Sequence, residues 1–259
     1  MSQTAERFER INAAPAYQLV AEAIEKEITS GRLRTGDPIG TEAELVKQFG
    51  VNRSTVREGI RMLEQAGLIR RDSSRRLTVG LPHYDRLASR MTRALVLHEV
   101  TFRELWEASM TMEIAAVEQA AERATPEIVA ELEANLARTE AAVGSSAAAI
   151  TELDSQFHGL VFKAARNRVL QLAREPAALL NLPTTEMILD QIEEATPRLI
   201  KLHRAITDAI ARHDVEAART EMRRHVNDWR RGFEYMGKEL DHPIDHLYLQ
   251  SIVENERGR

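Results

Sequence analysis

Four residues at separated positions combine side-chain types and spacings that suit a metal ion. Asp154 and His158 stand four apart in LDSQFH (153–158), so on a helix both project from one face. His203 and His225 lie on two later stretches of helical pattern, with a turn expected near His213 and Asp214 and Asp214 as the cap of the second helix. Position 214 is midway between the two histidines. In an antiparallel hairpin, residues equidistant from the turn share a height. At a rise of about 1.5 Å per residue, both imidazoles lie about 16 Å from the turn, where they can converge. Three imidazoles and a carboxylate suit Zn, Ni or Mn. The chain has no cysteine, so a metal must be held by His, Asp or Glu. His83, His98, His213, His242 and His246 lack such spacing and read as ordinary core or surface residues.

A second set suits nucleic acid. Between Lys47 and Arg76 stand eight basic residues and three acidic ones, +5 for the stretch, within a chain of net charge −5; the remainder carries −10. A basic segment on an acidic body suggests an anion-binding module attached to a domain with another task. Asn52, Arg53, Ser54, Thr55 and Arg57 place donors and acceptors at the start of one helix, while Val56, Ile60 and Leu63 face inward. Arg53 and Arg57 share a face, and either could bond guanine O6 and N7 in a major groove. Arg71, Arg75 and Arg76 suit phosphates or a minor groove.

The elements that must position these groups read as mainly α. Ala, Leu, Glu and Arg abound, while only 12 glycines and 5% aromatic residues occur among 259. A helix is expected from Pro15 to about Ile28, stopped by Gly31. A short one follows, from the Thr41/Glu44 capping box to Phe49, then a third from Arg53 to Gln65, capped by Asn52 and ended by Gly67. Two short strands, 68–71 and 77–79, flank a tip at 72–76, which completes a winged helix-turn-helix. Expected boundaries are an N-terminal extension 1–14, the DNA-binding domain 15–80, a linker 81–85, an all-helical bundle 86–240 and a polar tail 241–259. In the bundle, Thr101 with Glu104 forms a capping box. Thr125-Pro126 and Thr196-Pro197 each put a cap before a proline at the first helical position, and Pro176 and Pro183 bound a short helix. No apolar run approaches the roughly 20 residues of a membrane span, and the N-terminus has no apolar stretch of a secretory signal, so a cytoplasmic location is expected.

The strings GRLRTGDPI (31–39), TEAEL (41–45), VNRSTVREGI (51–60) and LEQAGLI (63–69) resemble, in order and spacing, the DNA-binding domain of GntR-family bacterial transcription regulators. Carried over by position, the resemblance implies DNA contacts at Arg53, Ser54, Thr55 and Arg57. Two departures bear on base preference. Ala43 stands where the family usually has arginine, and the wing tip holds Ser73, Ser74, Arg75 and Arg76 where the family usually has glycines. Residues 85–238 resemble the effector-binding FCD domain of the FadR-type members, whose metal motif falls on Asp154, His158, His203 and His225. The resemblance implies that a small carboxylate effector occupies open positions on the metal. It also places Ser109, Met112 and Glu113 at the effector pocket, with Met110 beside them. Ser109 stands where the family often has an arginine, which points away from a simple dicarboxylate.

These readings describe a ligand-responsive regulator, expected as a repressor. A homodimer would set two recognition helices on an inverted-repeat operator in double-stranded DNA. A metal-responsive regulator, in which the ion itself is the signal, is the alternative. A metalloenzyme using the three histidines and the aspartate is remote. The sequence holds no HExxH, GxSxG or phosphate loop, and Glu113 is the sole candidate acid or base.

Overall fold

The computed structural model describes residues 14–71, 76–80 and 84–244. The chain divides into two compact units, 1–83 and 84–259. The expected wing-tip residues 72–75, the linker residues 81–83 and the tail beyond 244 lie outside the described residues.

The first unit contains α1 (Ala16–Thr29), β1 (Pro38–Gly40), α2 (Glu42–Phe49), α3 (Arg53–Ala66), β2 (Ile69–Arg71) and β3 (Leu77–Val79). The caps form as their chemistry dictates. Thr41 and Glu44 close a reciprocal capping box on α2, and Asn52 accepts from the Thr55 amide at the head of α3. Gly50 and Gly67 stop these helices in the left-handed conformation that glycine adopts without strain. Val20, Ile24, Leu45, Val56, Ile60, Leu63, Ile69 and Leu77 form the core. A Cβ at Gly59 would sit 2.8 Å from the Tyr17 carbonyl oxygen, so this glycine lets α3 lie directly against α1. The sheet has the order β1-β3-β2, all antiparallel. Strand β1 was not expected: three residues opening on proline and closing on glycine carry no alternation.

The second unit is all-helical among its described residues: α4 (Tyr84–Leu97), α5 (Phe102–Arg123), α6 (Pro126–Ala141), α7 (Ala147–Ala164), α8 (Arg168–Gln191), α9 (Ala195–Ala211) and α10 (Val215–Tyr235). Ala116, Val117 and Ala120 of α5 give a small-residue face against which Phe157 and Val161 of α7, Ile206 and Ile210 of α9, and Met222 of α10 pack. Asp214 caps α10 through the Ala217 amide, and His213 takes a positive φ at the hairpin turn.

Two local expectations are corrected. Pro176 and Pro183 do not bound a short helix; both lie inside the 24-residue α8. Each removes one helical hydrogen bond. Burial of Ala177, Leu180, Thr184 and Ile188 along the same face holds the helix together. Helix α9 starts at Ala195 with Glu194 as cap, so Thr196 and Pro197 sit within its first turn, where an amide lacks an intrahelical partner in any case. The first residues of the polar tail are docked on the bundle. Ile244 is buried beside Val96, Leu105 and Leu180, and its amide donates to the Val100 carbonyl at 2.8 Å.

Candidate functional site

Helix α7 carries Asp154 and His158 on one face, α9 carries His203, and α10 carries His225. Their ligand atoms all lie within 4.8 Å of one another. Asp154 Oδ1 lies 3.2 Å from His203 Nε2, 3.8 Å from His158 Nε2 and 3.9 Å from His225 Nε2. The Nε2 atoms of His158 and His225 are 3.0 Å apart. Donors at about 2.0–2.1 Å from one ion are separated by about 2.9–3.4 Å when adjacent, so these spacings suit a shared centre. His203 is fully buried, its ring stacked on Phe157 at 3.6 Å between centroids.

The polar atoms at this point lack aligned partners. Asp154 Oδ1 and both ring nitrogens of His203 are buried without a hydrogen bond. A buried carboxylate and imidazole left so would each cost on the order of 1–3 kcal/mol. A divalent cation taking one atom from each of the four residues removes that cost at Asp154 Oδ1 and at one His203 nitrogen, and on these grounds the residues fit a metal. Electrostatics agrees. Burial works to raise the Asp154 pKa, but His203, His158 and His225 outweigh it and hold the carboxyl well below its usual range. Burial lowers His203 against the pull of Asp154, and lowers His225 with help from its histidine neighbours. At neutral pH these groups therefore stand as ionised carboxylate and neutral imidazoles, the forms that ligate metal. Burial also opposes charge on His158, yet Glu113 raises its pKa. Glu113 Oε2 of α5 lies 2.9 Å from His158 Nδ1, placed to orient the ring so that Nε2 faces the centre.

Asp154, His158 and His225 edge a cavity of about 80 Å³ whose wall includes Ser109, Glu113, Arg174, Asn181, Thr185 and Trp229. Ser109 and Glu113 thus line it, as expected. Met112 does not: it packs against buried residues of two core clusters, because its position on α5 turns it toward neighbouring helices, and Met110 likewise packs against the core. Sequence reading missed Arg174, Asn181 and Trp229. The first two lie on α8, which had been read as broken by its prolines.

In the first unit, Arg53 is exposed and lies 3.5 Å from Glu42, and Ser54 Oγ donates to Asn52 Oδ1 at 2.7 Å. Thr55 is half-buried, while Arg57 is exposed and has no ion pair within 4 Å among the described residues. Arg71 differs from expectation. Its guanidinium bridges Glu42 at 2.9 Å and Glu64 at 2.8 Å, tying β2 to α2 and α3, so its charge is already matched. Arg76 is exposed and acts on the Glu44 carboxylate; Arg75 is outside the described residues.

A three-helix reader with a small antiparallel sheet, joined in one chain to a helical bundle with a polar cavity, defines a regulator of transcription. The profile "Bacterial regulatory proteins, gntR family" matches residues 16–79, and that of the FCD domain matches residues 104–228. The chain belongs to the GntR family of transcriptional regulators, in the FadR-like group with an effector-binding FCD domain. It is 28% identical over 222 residues to the uncharacterized HTH-type transcriptional regulator YdhC of Bacillus subtilis, covering 85% of this chain and 92% of that protein. It is 27% identical over 216 residues to the HTH-type transcriptional repressor NanR of Escherichia coli, covering 81% of each. In fold it is similar to a Streptococcus agalactiae GntR structure, with a TM-score of 0.60 and 22% identity over 83% of this chain and 99% of that one. These relatives are regulators, not enzymes. No described helix is long and apolar enough to cross a membrane.

Proposed function

We propose that this chain is a metabolite-responsive repressor: a divalent metal held by Asp154, His158, His203 and His225 anchors a small carboxylate effector, whose binding changes operator affinity. The observation that carries the reading is the convergence of four donors, three of which line a cavity whose polar wall extends beyond them. An ion acting alone as the signal would not need Ser109, Asn181 or Trp229. The bound metal supplies an electropositive centre for an oxygen donor. Repression follows the role of the Escherichia coli relative NanR, a transcriptional repressor.

Arg53, Ser54, Thr55 and Arg57 are the proposed base-reading and phosphate-contacting set, with Arg75 and Arg76 on the phosphates beside them. A homodimer would present two such helices to an inverted repeat. The proposed domain limits are 15–80 for the reader and 86–240 for the effector domain.

Elemental analysis of purified wild-type chain and of a His203→Ala/His225→Ala chain tests the site. Wild type should retain about one divalent ion per chain through exhaustive dialysis. The double variant should hold none, yet bind nonspecific duplex DNA as before. A full metal complement in the double variant overturns the site. A wild-type ion that exchanges freely and alone alters operator affinity makes the metal the signal instead.

A further inference from the structure

In the reader, one carboxylate meets cations from two other elements. Glu42 opens α2, Arg53 opens α3 and Arg71 closes β2. Arg71 Nη2 donates to Glu42 Oε1 at 2.9 Å while its Nε donates to Glu64 Oε1 at 2.8 Å, so this guanidinium is held on two sides. It fixes in turn the Glu42 side chain, which is 15% exposed and whose Oε2 lies 3.5 Å from Arg53 Nε. Burial works to raise the Glu42 pKa, but Arg71, Arg57 and Arg53 together outweigh it and hold the carboxyl below its usual range. Glu42 is therefore an anion at neutral pH.

An anion on this face works against duplex DNA, because it repels the phosphates that Arg53 and Arg57 attract. Its contact with Arg53 adds little to the fold either. The Arg53 side chain is 76% exposed, and ion pairs so open to solvent contribute little to stability. What the contact does set is direction. An arginine left free must give up rotamer freedom when it docks on a base. With Nε against Glu42, the two Nη groups of Arg53 remain as an open fork, the arrangement that reads guanine O6 and N7. Arg57 provides the contrast, since it acts on Glu42 by charge alone.

We propose that Glu42 is a positioning residue for sequence readout: anchored by Arg71, it aims Arg53 at a base edge, lowering nonspecific affinity while raising base selectivity. The proposal rests on reading Arg53 as a base contact.

The test uses the full chain and a pool of randomised duplexes, from which rounds of binding and sequencing give the preferred sequence. Anisotropy titrations at fixed salt then compare that duplex with a scrambled one of equal length, and the ratio of affinities is the selectivity. Glu42→Gln should bind the scrambled duplex about twofold or more tightly, because a repelling charge is gone, yet lose selectivity about fivefold or more. Glu42→Asp keeps the charge but withdraws it by one methylene; it should lose selectivity with scrambled-duplex affinity near that of wild type. In an Arg53→Ala chain, which should lose selectivity by itself, adding Glu42→Gln should reduce it no further. Should Glu42→Gln fail to fold, Glu42→Asp carries the same comparisons. Unchanged selectivity in the Glu42 variants, equal weakening on both duplexes, or a further loss on the Arg53→Ala background overturns the proposal and leaves Arg53 as a reader. Unchanged selectivity in Arg53→Ala alone refutes the reading of Arg53 and the proposal with it, as does a wild-type chain that enriches no sequence.

Discussion

Replacing Asp154 by Asn keeps the shape of the side chain and removes its charge, so it isolates the carboxylate's part in the metal centre. Asp154 Oδ1 is buried, and of the three imidazoles His203 comes nearest, at 3.2 Å. Without metal Asp154 Oδ1 has no hydrogen bond to lose, so the substitution should change stability little. With metal the difference widens. An ion at about 100 times its dissociation constant stabilises the folded chain by about 2.7 kcal/mol, or about 5–11 °C in Tm for a unit of this size. If Asn weakens the ion about 100-fold, the same metal concentration yields about 0.4 kcal/mol, about 1 °C. The assay is thermal unfolding of both chains, stripped with chelator and then reloaded with zinc, with elemental analysis of each sample. Wild type should gain several degrees on reloading and Asp154→Asn almost none. Equal gains in the two chains would refute the claim that this carboxylate is a ligand. No gain in a wild-type chain shown to be reloaded would refute the coupling of metal to fold.

Three other substitutions separate the parts of the molecule. Arg57→Ala should cost about 1–3 kcal/mol of operator affinity if it reads a base, whereas an equal loss on all duplexes in anisotropy titrations would mark a phosphate contact. Gly59→Ala forces a Cβ to 2.8 Å from the Tyr17 carbonyl oxygen and should destabilise the reader by about 1–3 kcal/mol, seen in urea unfolding, with metal content unchanged. Thr92→Val keeps the shape of a fully buried side chain but removes its 3.2 Å hydrogen bond to the Pro176 carbonyl. It should reduce the effector's influence on DNA binding more than effector affinity itself, and an unchanged ratio would dismiss the link.

The reader was legible because its signals are local. Thr41 with Glu44, Asn52, Gly50 and Gly67 act within one turn of where they stand, and they set α2 and α3 at the expected residues. The convergence of Asp154, His158, His203 and His225 was legible through periodicity, since a four-residue step and a symmetric hairpin each constrain direction. What escaped depends on contacts distant in sequence. Pro176 and Pro183 carry a local signal against helix, and only packing along α8 overrides it. With α8 read as broken, nothing in the string around Arg174 marked it as interior. Met112 shows the opposite error: lying next to Glu113 in sequence turns a helical side chain away from the face that Glu113 presents.

The placement of Arg174 also bears on how a ligand could be felt outside its cavity. A ligand shifts an equilibrium only by binding one arrangement better than another. The cavity is walled by metal donors on α7 and α10 and by Arg174 and Asn181 on α8, so a ligand filling it would touch both sets. Helix α8 lacks two of its own hydrogen bonds, at Pro176 and Pro183. The Pro176 carbonyl accepts from Thr92 of α4, and Val96 of α4 packs with Ala177 and Leu180. Helix α4 is the first element of the bundle after the reader in sequence. A displacement of α8 by ligand must therefore be met by α4 or cost the Thr92 hydrogen bond and this packing. A coupling of about 1–3 kcal/mol, enough to change operator affinity about 5- to 150-fold, is of the size that one such bond and a few methyl contacts can carry.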